Sequence, residues 1–117
     1  MEATELLTPE LIKFNLAADS KEEVLNELVD VLAEADKLTS REKFHQTIVD
    51  REESSSTGVG HGVAIPHGKS EAVKVPSLVF AKSEAGIDFN SRDGEPARIF
   101  FMIAVPEESS QEHLKIL

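Results

Sequence analysis

Seven consecutive apolar residues, Ile99, Phe100, Phe101, Met102, Ile103, Ala104 and Val105, restrict the fold of this chain more than any other stretch. Side chains alternate between the two faces of a strand, so a strand apolar at every position must be covered on both. The run therefore predicts a central strand, and it is far shorter than the roughly 20 residues that span a bilayer. Ser20 and Glu23 form a capping box ahead of Val24, Leu25, Leu28, Val29, Val31, Leu32 and Ala35 at helical spacing. That pattern predicts a helix from Lys21 to about Asp36. Ser40 can cap a second helix with an acidic start at Glu42 and an apolar face of Phe44, Ile48 and Val49, fading around Arg51 to Glu53. Leu11 to Leu16 alternates loosely and predicts a short edge strand, and further strands are expected at Leu78 to Ala81 and, past a turn at Gly86, at Ile87 to Phe89. Ser109 and Glu112 make another capping box, so Gln111 to Leu117 begins a helix with His113 in its first turn. Leu114, Ile116 and Leu117 have no capping residue after them, and the natural chain is expected to continue past them.

At 117 residues the chain is expected to form one domain, 1–117, truncated at its C-terminal end. Twelve Lys and Arg against twenty-two Asp and Glu give a net charge of −10, which repels a phosphate backbone, so a nucleic-acid partner is not expected and a basic protein suits better. With no cysteine there is no disulfide, thiol nucleophile or cysteine-rich zinc site. The start Met1, Glu2, Ala3, Thr4, Glu5 lacks the basic residues of a signal peptide, and a cytoplasmic location is expected.

Composition changes sharply at Ser54, Ser55, Ser56, Thr57, Gly58, Val59, Gly60, His61, Gly62, a small, polar loop through which a ligand can approach the backbone. Val63, Ala64 and Ile65 read as a short buried strand stopped by Pro66, with His67 and Gly68 just past its end. The Gly68-Lys69-Ser70 ending suggests a nucleotide-binding phosphate loop, but five residues separate Gly62 from Gly68 where that motif needs four, and Pro66 removes a backbone donor. An ATPase is not expected. A histidine at a strand end is, however, well placed as a nucleophile. With an ordinary pKa of about 6.5, a neutral imidazole keeps a lone pair that can attack phosphorus and carry the phosphoryl group. The alternative is a loop histidine satisfied by a backbone carbonyl, which the chemistry of the residue taken alone favours.

Phosphoryl transfer passes through a loose transition state, so it requires a positioned donor and positive charge or N–H groups around the equatorial oxygens. Arg51, Thr57 and the backbone N–H groups of Gly58, Gly60, His61 and Gly62 could supply them. Arg51 alone reads more simply as a solvated helix-end charge, and Lys69 as an exposed lysine. His113, early in a helix, could orient the first histidine or the phosphate, or could be an ordinary boundary residue. His45, beside core-facing Phe44, reads as structural or solvated. A zinc site of His61, His67 and His113 is weakly signalled, because none of these pairs has the close spacing zinc ligands favour.

The stretch Ser56-Thr57-Gly58-Val59-Gly60-His61-Gly62-Val63-Ala64-Ile65-Pro66-His67-Gly68 resembles the phosphorylation-site signature of the enzyme IIA domains of the fructose and mannitol type, from the bacterial sugar phosphotransferase system. The resemblance runs from Leu6 to His113 and includes Arg51-Glu52 ahead of the signature. It implies that His67 accepts the phosphoryl group, that Arg51 is the cation near the phosphate and that His113 is a second active-site histidine. Where members often carry Asn or Glu this chain has His61, which alters the local charge. The implied fold is an α/β sandwich, a mixed, partly antiparallel sheet flanked by helices; the residues alone give a sheet with covering helices and no strand order.

The implied function is that of a phosphotransferase, in which His67 takes the phosphoryl group from the histidine phosphocarrier protein and passes it to a IIB domain, with fructose the expected sugar. No cofactor or metal is expected, since the group passes from protein to protein, and the membrane is met only through the permease. A second reading is a regulatory module of the same fold whose phosphorylated His67 switches partner binding. A third, a metal-dependent hydrolase using the three histidines, lacks carboxylates at telling spacings.

Overall fold

The computed structural model describes residues 7–107 of the chain. A 3-10 turn at Pro9–Leu11 leads into strand β1 (Ile12–Lys13), which is followed by helices α1 (Lys21–Glu34) and α2 (Arg41–Ser54). Both helices begin where the spacing predicts, because the Ser20 hydroxyl accepts the Glu23 N–H and the Ser40 hydroxyl that of Lys43. Five strands complete the order: β2 (Gly58–Gly60), β3 (Val63–Ala64), β4 (His67–Ser70), β5 (Ser77–Ile87) and β6 (Ala97–Pro106).

The strands form one sheet in the order β1-β5-β6-β3-β2, with β4 also paired to β6. Pairing is parallel for β1 with β5 and for β3 and β4 with β6, and antiparallel for β5 with β6 and β2 with β3. The sheet is thus mixed, as expected, and β6 is central. Its seven apolar residues divide by parity. Phe100, Met102 and Ala104 are fully buried in the main core with Val24, Leu28 and Leu32 of α1 and Phe44 and Ile48 of α2. Ile103 and Val105 belong to a second cluster on the other face, with Leu78 and the partly buried Leu7, Ile65 and Phe101. On that face Phe80 meets the edges of Phe14 and Phe101, with ring centroids 6.2 and 5.2 Å apart.

Four local expectations differ. The edge strand expected from Leu11 to Leu16 is confined to Ile12–Lys13, because Leu11 closes the 3-10 turn, its N–H donating to the Thr8 carbonyl at 2.9 Å. The strand at Val63 does not stop at Pro66; it skips Ile65 and Pro66 and resumes as β4, so that His67 opens a strand beside Ile103. Gly86 does not turn the chain either. It lies inside β5 with φ +84°, where the register against β6 shifts between Lys82 and Ile87, so one long irregular strand replaces two short ones, and Phe89 lies beyond it. Helix α1 ends at Glu34, slightly earlier than Asp36, which adopts φ +60°. The helix expected from Gln111, with His113, lies outside the described residues.

α2 packs closely on β4. A Cβ on Gly68 would lie 3.1 Å from Ile48 Cδ1 and 3.3 Å from both Phe44 Cε1 and Thr47 Cγ2, so this residue's bareness sets how near the helix comes to the strand. Gly68→Val is expected to cost about 1–3 kcal/mol by overpacking. Lys69→Val, at the exposed next position, should change stability by roughly 0.5 kcal/mol or less. Thermal unfolding of both variants checks this, and equal midpoints would contradict it.

Candidate functional site

The turn from β2 into β3 has three successive residues at positive φ: Gly60, the last of β2, at +100°, His61 at +56° and Gly62 at +78°. Glycine adopts this conformation without penalty, but His61 does not. Its backbone is held by Asp93, whose Oδ2 accepts the His61 N–H at 2.9 Å while Oδ1 accepts the Glu95 N–H at 3.0 Å. These two bonds, that from His61 first, hold the Asp93 carboxyl below its usual range. The same downstream segment grips the loop elsewhere: Ser56 Oγ donates to the Phe89 carbonyl at 2.6 Å, and the Arg98 and Ile99 N–H groups donate to the Gly62 carbonyl at 2.7 and 3.0 Å.

The loop's other end is anchored from beneath. Glu52, on the last turn of α2 and only 8% exposed, accepts the Thr57 N–H at 3.2–3.3 Å and the Thr57 hydroxyl as well. Lys21 Nζ lies 2.8 Å from Glu52 Oε2 and 4.7 Å from the centroid of the Phe89 ring.

His67 owes its setting to Pro66. Across the break between β3 and β4, the Ile65 N–H donates to the Thr57 carbonyl at 3.0 Å and the Ile103 N–H to the Pro66 carbonyl at 2.9 Å. The Ile65 carbonyl is left facing the His67 ring, with Nδ1 2.9 Å away. A carbonyl can only accept, so Nδ1 is the donor and carries the proton, and Nε2 keeps the lone pair of the neutral ring. The ring is half-buried, and pairing with Ile103 puts it on the face of the sheet away from α1 and α2.

The other candidates are distributed as follows. Arg51 sits in the last turn of α2, its Nη1 donating to the Ser55 carbonyl at 2.9 Å and to Ser55 Oγ at 3.3 Å; among the described residues no hydrogen bond links it to His67. Three proposed loop donors are engaged internally: the Thr57 hydroxyl by Glu52, the Gly58 N–H by Ser56 Oγ at 3.0 Å and the His61 N–H by Asp93. Lys69 is exposed, and His45 is half-buried with Nε2 enclosed and unpartnered among the described residues. Those residues contain no group of three His, Asp or Glu side chains able to hold a metal ion, and His113 lies outside them. A cleft of about 470 Å³ lined by Lys21, Leu25, Val49 and Glu52 opens on the helix side, and His67 does not line it.

Sequence reasoning gave no role to Glu52 or Asp93. Glu52 continues the buried stripe of Phe44 and Ile48 at i+4 and i+8, and a carboxylate in line with core positions was a readable signal. Asp93-Gly94 is a turn pair, but nothing in its spacing tied it to His61.

The profile of the family described as "Phosphoenolpyruvate-dependent sugar phosphotransferase system, EIIA 2" matches residues 5–117. The chain is 45% identical over its full length to the PTS system fructose-specific EIIABC component of Bacillus subtilis, of which it spans only 18%. It is 38% identical to the PTS system fructose-specific EIIA component of Haloferax volcanii, again over its full length and over 78% of that protein. A nitrogen regulatory protein of Bradyrhizobium diazoefficiens is likewise 38% identical, over all of this chain and 76% of that one. Among solved structures, the nitrogen regulatory protein IIA-Ntr of Neisseria meningitidis superposes with a TM-score of 0.86 at 32% identity, covering 95% of this chain and 75% of that one. The mannitol enzyme IIA of Escherichia coli, in its complex with phosphorylated enzyme IIB, gives 0.77 at 26% identity, covering 93% and 76%. The mixed sheet and its helices are therefore those of the mannitol-type IIA fold, and the chain belongs to the EIIA type 2 family of the phosphoenolpyruvate-dependent sugar phosphotransferase system.

Proposed function

We propose that this domain is a phosphoryl carrier in which His67 Nε2 takes a phosphoryl group from the histidine phosphocarrier protein and hands it to a IIB domain during uptake of a sugar, with fructose the first candidate. The observation that carries this reading is the match of residues 5–117 to the EIIA type 2 family, with His67 in the stretch that resembles its phosphorylation-site signature; the bond from His67 Nδ1 to the Ile65 carbonyl, which a purely structural histidine also makes, adds that Nε2 keeps its lone pair. In the transfer a bond forms between Nε2 and phosphorus while the donor's own N–P bond breaks, and the electron pair of that bond stays with the donor imidazole. The phosphorylated ring gains positive character, and the Ile65 carbonyl that accepts from Nδ1 stabilises it. The reverse displacement, with a IIB side chain as nucleophile, discharges the domain.

The equatorial oxygens need positive partners. Arg51 uses one nitrogen on Ser55, and its remaining N–H groups make no hydrogen bond among the described residues, so they are available to a phosphoryl group brought by a partner. His113 is assigned the second histidine's role on its match to the family pattern. Within the loop, the Thr57 hydroxyl and the Gly58 and His61 N–H groups act by shaping the turn, since they are already engaged, and Gly60 and Gly62 give the backbone its close approach. The net charge of −10 suits a basic donor protein, and the solved mannitol IIA–IIB complex supports a IIB acceptor. No helix among the described residues is long and apolar enough to cross a membrane, and the proposed place of action is the cytoplasm, beside a permease.

A second reading is carried by specific likenesses. The nitrogen regulatory relative equals the Haloferax fructose relative in identity, and the IIA-Ntr superposition gives the higher TM-score of the two structures. In that reading phosphorylation of His67 changes the charge of a docking surface and no IIB domain receives the group.

Incubation with phosphoenolpyruvate and the two general phosphotransferase proteins should place acid-labile phosphate on the wild type and none on His67→Ala; full labelling of that variant would remove His67 from the role. Discharge to a fructose IIB domain favours transport, whereas a stable phosphoprotein that gains or loses a binding partner favours regulation. Arg51→Ala and His113→Ala should leave the fold intact and slow the transfer by roughly 100-fold each, as loss of one transition-state partner does. Single-turnover labelling checks this, and wild-type rates in both would end their proposed roles.

A further inference from the structure

We propose that Glu52 is a positioning residue for His67, acting through Thr57 and Ile65 to hold the imidazole in the tautomer that leaves Nε2 bare. The inference rests on the carrier reading for its kinetic meaning. Its geometry stands without it. A continuous set of bonds joins the two residues: Lys21 Nζ to Glu52 at 2.8 Å, the Thr57 N–H and hydroxyl to Glu52, the Ile65 N–H to the Thr57 carbonyl at 3.0 Å, and His67 Nδ1 to the Ile65 carbonyl at 2.9 Å.

Each link has a reason to be stiff. Glu52 is buried on the core stripe of α2, so its carboxylate has few places to go, and it accepts from two donors on one residue. Ile65 precedes a proline, which narrows its backbone to extended conformations, so the peptide plane that its N–H fixes against Thr57 constrains the next plane, which carries the Ile65 carbonyl and is followed by the Pro66 carbonyl held by the Ile103 N–H. The Ile65 carbonyl then points at the ring in a direction that the Glu52 anchor has set.

Lys21 adds a second indication. It is the first residue of α1, where a positive charge opposes the helix dipole, and its ammonium is spent on Glu52 and the Phe89 ring. A cation placed against the local field to neutralise one buried carboxylate marks that carboxylate as a group the fold retains at a cost. The cost is explained if the carboxylate sets the loop on which the reactive histidine depends. Helix capping alone would not require it, because Glu52 is a residue of α2 itself and its partner Thr57 lies five residues on, in the loop.

The test is the ring of His67 observed by long-range proton–nitrogen NMR in the full chain, beside single-turnover labelling, for wild type, Glu52→Ala, Glu52→Gln and Thr57→Val. Wild type should show one neutral tautomer, with Nδ1 protonated. Glu52→Ala should show a mixture of both tautomers and about a 10-fold lower maximal labelling rate with an unchanged KM for the donor protein. Glu52→Gln, which keeps one acceptor oxygen for Thr57, should recover most of the single tautomer and of the rate. Should Glu52→Ala fail to fold, Thr57→Val removes only the hydroxyl bond and should still give a detectable second tautomer. A single Nδ1-protonated tautomer in every folded variant overturns the proposal. A wild type that takes no phosphate would end the carrier reading and leave the tautomer result to decide the role of Glu52.

Discussion

Pro66 has no backbone N–H to give to a sheet, and the strand beside β6 therefore breaks between Ala64 and His67. The break costs little pairing, because the Pro66 carbonyl still takes the Ile103 N–H and β4 resumes at once along the same edge. It frees the Ile65 carbonyl from the ladder, and the His67 ring fills that vacancy through Nδ1. A gap in a parallel edge thus becomes an orienting device for an imidazole. The rest of the molecule holds the gap in place: β6 supplies a central strand buried on both faces, Gly68 lets α2 lie close on β4, and Glu52 and Asp93 tie down the two ends of the preceding loop.

The two carboxylates act in different surroundings. Glu52 is buried, paired with Lys21, and holds Thr57 from below; Asp93 is at the surface and holds the His61 amide in a left-handed turn. Both occupy donors that an anion could otherwise have used. The Thr57 hydroxyl and the Gly58 and His61 N–H groups are in this sense already taken, so the proposed phosphoryl group would need its charge compensated by other groups, with Arg51 the proposed one.

Much of this was legible in the residues, for physical reasons that differ from place to place. The capping serines at 20 and 40 and the two-faced run at 99–105 act locally or through burial, and the helices and the central strand follow from them. The position of His67 at a strand boundary followed from Pro66, although a proline at an edge interrupts a strand without ending it, and the resumption as β4 was not visible. Gly86 misled for a related reason: a positive-φ glycine serves a bulge as readily as a turn, and only the partner strand decides which. Strand order, the face on which His67 lies and the reach of Asp93 to a residue 32 positions earlier are long-range facts that no spacing along the chain encodes. The roles proposed for Arg51 and His113 rest on family likeness, and Arg51 is bound to Ser55.

The proposed function turns on Nε2 of His67 carrying phosphorus while Nδ1 keeps its proton and its bond to Ile65. Phosphorus–nitrogen and long-range proton–nitrogen NMR on the ring-labelled phosphoprotein read this directly. Phosphorus should couple to Nε2 with Nδ1 still protonated; phosphorus on Nδ1, or on any other residue, would overturn the assignment.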